Sequence, residues 1–265
     1  MDDVTEINQK AGLGSEVTQI GTQNIYTGLT PSEACKLATD LFYENFPKLQ
    51  EQAKEMIIAR VNELMAEVAK KLSENNVSDL SAFAQPDVQY AILEGQKSYA
   101  RFGTEEMLST LSSLITSRVQ NNTGDISLRV AIDKAIEVTG LITTKHLDYL
   151  ALLFAISQVK YGGIDSIEQL SSKLQALDWF FPNVDTSSFI YLNSLGCLQL
   201  NLFNVCQNLS KTYGFPKNQI EKICPANIKQ LTGDYTTSHV GTILAITHLE
   251  SVTPYRYDPT KWIHG

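Results

Sequence analysis

A chain of 265 residues with 43% apolar side chains can bury a substantial core. Its formal net charge of −8 and isoelectric point near 5.0 come without a Lys/Arg cluster that would track phosphates, which argues against sequence-independent nucleic-acid binding and a basic membrane-surface role. The longest apolar run, Tyr149 to Ile156, is less than half of a bilayer-spanning helix, and the start with Asp2, Asp3 and Glu6 lacks the plan of a secretory signal. The expectation is a cytoplasmic protein with no membrane span, whose Cys35, Cys197, Cys206 and Cys224 are reduced and packed in helices.

Residues 1–29 are polar, contain Gly12, Gly14, Gly21 and Gly28, and hold no helical periodicity, so they read as a flexible tail. From Val17 to Ser32 there is no charged residue. Within this stretch Val17, Thr18, Ile20, Thr22 and Ile25 are β-branched, Tyr26 is aromatic, and Gln19, Gln23 and Asn24 carry amides able to form ladders between identical stacked strands. In such a stack each side chain lies about 4.8 Å from its own copy, so one Lys or Glu would repeat its repulsion at every layer. Gly21 permits a bend between two short strands, Val17 to Ile20 and Thr22 to Tyr26.

The first helix start is well marked: Thr30 can cap, Pro31 suits the first helical position, and Glu33 can close a capping box. Apolar residues from Ala34 to Leu72 then recur at helical spacing, which predicts a helix roughly 60 Å long if it runs unbroken over 31–72. Pro47 is expected to kink or split it. Punctuation predicts further helices at 86–102, 105–119 and 127–138, then at about 144–160, 166–178, 187–212, 217–223 and 236–250, with strands scarce. The expected fold is all-α: a multi-helix body with one long N-terminal helix, behind a flexible β-prone tail. Residues 121–124 mark the expected boundary between a helical region at 30–124 and a C-terminal helical domain at 125–265.

No sequence pattern identifies catalytic chemistry or a cofactor. Gly12-Leu13-Gly14-Ser15 lacks the Lys-Ser/Thr of a phosphate loop. His239 and His248 are nine residues apart on one predicted helix and face opposite sides, and His146 and Asp148 do not share a helical face. Trp262 and Ile263 are expected to dock on the body and finish its core.

Thr18-Gln19-Ile20-Gly21-Thr22-Gln23-Asn24-Ile25-Tyr26 resembles the RIP homotypic interaction motif, RHIM. That motif has a core of Ile or Val, Gln, Ile or Val, and Gly, followed after two residues by Asn and an apolar or aromatic pair. Gln19, Ile20, Gly21 and Asn24 match it, and Ile25 and Tyr26 fit the closing pair; Thr18 departs by replacing a methyl with a hydroxyl. The tail, followed by the helix start Leu29 to Ala34, also resembles an uncharacterised bacterial family carrying this motif. The resemblance implies a self-assembly segment, Val17, Thr18, Gln19, Ile20, Gly21, Gln23, Asn24, Ile25 and Tyr26. Its expected partners are further copies of the chain, as a homo-oligomer, and other proteins with RHIM-like motifs, in a signalling role within bacterial antiviral systems. Two alternatives stay open: a helical effector or toxin with an enzymatic site in 125–265, and a structural oligomer built through the 31–72 helix.

Overall fold

The computed structural model describes residues 31–77, 80–122, 125–181, 184–185, 187–201, 204–231 and 235–263. Twelve α-helices and one two-stranded sheet are found among them, so the fold is all-α. The chain divides into compact units Met1–Gln52 and Ala53–Gly265. Helix α1 is Pro31–Glu74, the expected long N-terminal helix, and of the two outcomes expected at Pro47 a split does not occur. Loss of one amide donor costs a hydrogen bond, while the turns on either side stay helical.

In the second unit, α1 buries Leu64, Val68 and Leu72 at the one-turn and two-turn spacing of a helical stripe. A 3-10 turn at Ser81–Ala84 leads into α2, Pro86–Phe102, which ends where Gly103 takes the left-handed φ of 60°. Helix α3, Glu105–Gln120, starts on Thr104, whose hydroxyl accepts the Met107 N–H at 3.3 Å. Helix α4, Ile126–Thr139, starts on Asp125, whose carboxylate accepts two amide N–H groups. These caps satisfy donors that would otherwise have no partner in the first turn.

Helix α5, Thr144–Ser157, is buried all round from Tyr149 to Ala155, each at 0% exposure. A helix apolar on every face belongs at the centre of a bundle, and α5 packs against α6, Ile167–Phe180, and against the last long helix, α11, His239–Val252. Among the described residues no helix is long and apolar enough to cross a membrane.

The predicted helix at 187–212 is instead three elements: α7, Ser188–Ser194; strand β1, Leu198–Leu200; and α8, Val205–Tyr213. Gly196, at φ 74°, ends the first, and β1 pairs antiparallel with β2, Tyr235–Thr237, in the register Leu198 to Thr237. Long-range pairing thus overrides local helical periodicity. Helices α9, Lys217–Ile223, α10, Ala226–Gln230, and α12, Thr260–Ile263, complete the order; the last two short helices were not expected. Ser238 joins the sheet to α11, accepting from Gly241 N and donating to Gly196 O at 2.6 Å. The carboxyl-terminal segment does dock: Ile263 is buried, Trp262 Nε1 donates to Gln158 O at 3.2 Å, and its ring meets Phe154 edge-on with centroids 5.1 Å apart.

Candidate functional site

The predicted assembly residues Val17, Thr18, Gln19, Ile20, Gly21, Gln23, Asn24, Ile25 and Tyr26 lie outside the described residues. The helical body offers a different site, a cleft of about 620 Å³ between α3 and α11. The last turn of α1 and residues 256–260 also line it.

Its walls follow from helical geometry. Along α3, Ser109, Ser113, Thr116, Ser117 and Gln120 fall at i, i+4, i+7, i+8 and i+11, which puts them on one face, while Leu111, Leu114 and Ile115 are buried. Along α11, Ile243, Ile246, Thr247 and Glu250 fall at i, i+3, i+4 and i+7, again one helical face, and add two apolar and two polar side chains to the lining. From α1, the Lys71 ammonium reaches in and donates to Ser113 Oγ at 2.9 Å, while Ser113 Oγ donates to Ser109 O at 2.9 Å. Burial pulls the Lys71 pKa below the usual lysine range, against the attraction of Glu67 and Glu74. Thr116 is 2% exposed and its hydroxyl has no hydrogen-bond partner.

Arg256, Glu250 and Asp258 at the rim are engaged. Arg256 Nη1 donates to the carbonyls of Glu250, Thr253 and Tyr255, and Glu250 Oε1 accepts Tyr257 N at 2.8 Å. Asp258 accepts both the amide and the hydroxyl of Thr260. Chemically, the cleft presents hydroxyls, side-chain amides and one half-buried ammonium, an arrangement for holding a small polar molecule.

Three other clusters bring together residues far apart in sequence. Arg118, 1% exposed, donates through Nε to Asp133 at 2.7 Å and through Nη2 to Asp87. His248 Nε2 and Asp148 Oδ1 are 2.7 Å apart although 100 residues separate them, so Asp148 finds its histidine on α11 and not at His146. His146 instead completes the α5 capping box, accepting Thr143 N at 3.1 Å. The Cys206 and Cys224 thiols share a hydrogen bond, which lowers the Cys206 pKa to about 7 and raises that of Cys224. Cys206 lies in α8, but Cys197 sits in the turn before β1 and Cys224 at the end of α9, correcting the expectation that all of these cysteines are packed in helices. Cys35 belongs to α1, with its side chain outside the described set.

Sequence reasoning missed the cleft, although its α3 wall carries a legible signal in five polar residues sharing one helical face. Among the described residues no group of three His, Cys, Asp or Glu side chains is placed to hold a metal ion. Among curated proteins and among solved structures, none matches the chain. The model of an uncharacterised-like protein family matches residues 28–238, and the chain belongs to that family.

Proposed function

We propose that this protein is a cytoplasmic signalling adaptor that self-assembles, or co-assembles with other RHIM-like proteins, through a cross-β segment at Val17 to Tyr26, in a setting of bacterial anti-phage defence. The observation that carries this reading is Gln19-Ile20-Gly21 with Asn24 inside a stretch free of charge from Val17 to Ser32. The nearness of α1 adds support: only four residues separate Tyr26 from Pro31, so each strand of a growing stack would be tied by a short linker to the start of that helix. The body would then sense or transmit, and chemistry is not required of it.

Incubating the full-length protein at high concentration, alone and with a RHIM-bearing partner, tests the proposal. Thioflavin-positive, sedimentable fibrils are expected from the native chain, and none when Gln19, Ile20, Gly21 and Asn24 are all replaced by Ala. A native chain that stays monomeric under both conditions refutes it.

A second reading, a structural oligomer built through α1, is favoured by one observation. Met56, Ile57 and Ile58 are 52%, 46% and 50% exposed, on the helix that buries Leu64, Val68 and Leu72 further along. Light scattering on a chain lacking residues 1–29 separates the two: an oligomer that survives truncation assembles through its helices. The third alternative, an effector with its site wholly in 125–265, gains less, because the cleft draws one wall from α3 and Lys71 from α1.

A further inference from the structure

We propose that the cleft between α3 and α11 binds a small hydroxyl-rich molecule carrying one phosphate, of the sugar-phosphate or nucleoside-monophosphate class. Two independent observations point there. The Lys71 ammonium is half-buried in the lining of the cleft, its hydrogen bond goes to the neutral hydroxyl of Ser113, and no carboxylate pairs with it among the described residues. Glu67 and Glu74 attract it only from beyond ion-pair distance, so a half-buried cation whose hydrogen bond goes to a neutral hydroxyl keeps the capacity to take an anionic group. Separately, the Thr116 hydroxyl, buried and without a partner, lines the same space. A threonine in a helix can return its hydroxyl to the carbonyl four residues back, as Thr139 does to Ala135 at 2.7 Å. Thr116 leaves that capacity unused, and a ligand hydroxyl in the cleft would fill it.

Charge and shape narrow the class. Arg256 is held by three backbone carbonyls, and Glu250 and Asp258 accept hydrogen bonds from their own neighbours, so Lys71 is the lining cation left to meet an anion; with three carboxylates also in the lining, one phosphate is the most the cleft can take, and a polyphosphate or a nucleic-acid strand is disfavoured. The volume of about 620 Å³ suits one such molecule. Ile243 and Ile246 offer an apolar surface against which the carbon face of a sugar ring can lie, while Gln120 and Asn121 supply amides that donate and accept.

The test uses the full-length protein and its thermal unfolding midpoint with AMP, glucose 6-phosphate, adenosine, glucose and ATP as probes. AMP or glucose 6-phosphate is expected to raise the midpoint by roughly 3–6 °C at about ten times its Kd. Which of the two acts identifies the source of the phosphate. Adenosine and glucose, lacking phosphate, should act far less, and ATP should not bind more tightly than AMP. Lys71→Met should abolish the shift, and the isosteric Thr116→Val should weaken binding about tenfold. If Lys71→Met does not fold, Ser117→Leu, which fills the cleft from α3 and leaves the Lys71 hydrogen bond in place, should abolish the shift instead. The proposal is overturned if neither monophosphate moves the native midpoint, if the shift survives these substitutions, or if ATP is preferred. Fibril formation by residues 17–26 is measured separately, so the two proposals fail or stand independently.

Discussion

Arg118 holds two carboxylates from positions where water cannot replace it, and its own side chain is 1% exposed. Replacing it with Met should lower the unfolding free energy by about 1.5–3 kcal/mol in chemical denaturation, chiefly by leaving the partly buried Asp133 without its charged hydrogen-bond partner. The two acids respond oppositely to pH. Burial raises the Asp87 pKa, but the hydrogen bond and charge of Arg118 together outweigh it and hold the carboxyl below its ordinary range. Its contribution is therefore present above that range and lost as pH falls through the depressed folded value. Burial is the larger effect at Asp133 and leaves its pKa raised, so its contribution is present below the ordinary range and lost as pH rises through the raised value. Asp87→Asn should accordingly flatten the fall of stability on the acid side, and Asp133→Asn should remove a slope of opposite sign. Among the thiols, Cys206 is partly exposed and its pKa is lowered to about 7 by its hydrogen bond with Cys224, whereas burial pushes Cys197 up to about 12. Mass spectrometry after brief alkylation near neutral pH should find Cys206 modified well before Cys197. None of these pairings was visible from residue types alone, because each partner comes from a different element.

At the scale of elements, capping chemistry was the most legible signal. Pro86 and Gly103 bracket α2 at its predicted ends, and α9 runs over its predicted span behind Pro216, because proline and glycine set their own backbone dihedrals without help from distant contacts. The region 187–212 was misread for the converse reason: β1 owes its existence to β2, with Leu198 opposite Thr237. Gly241 shows how tightly that junction closes, since an added Cβ would collide with the Cys197 carbonyl. Gly241→Ala should cost about 1–3 kcal/mol, read as a lower denaturation midpoint with an unchanged slope. On α1 the opposite holds. Met56→Ser with Ile57→Ser should leave stability within about 0.5 kcal/mol, since both side chains are half-exposed. If α1 is an oligomer interface, the same variant should elute as a smaller species in size-exclusion chromatography with light scattering.

For the whole molecule, the proposed assembly through Val17 to Tyr26 should be separable from the helical body. Deleting residues 1–29 should abolish thioflavin-positive fibrils while the melting midpoint of the helical body stays unchanged, since the described core residues begin at Leu64. The sequence by itself determined the all-α class, the start at Pro31, most helix limits, the docking of Trp262 and the identity of the uncharged segment from Val17 to Tyr26. These depend on caps, periodicity and composition, which act between residues a few positions apart. Only the tertiary structure decided that α5 lies at the centre, that Asp148 pairs with His248, that Leu198–Leu200 is a strand, and that Lys71 and Thr116 open into one cleft. Those features are contacts across tens of residues, fixed when packed helices meet, and no local preference along the chain encodes which faces will touch.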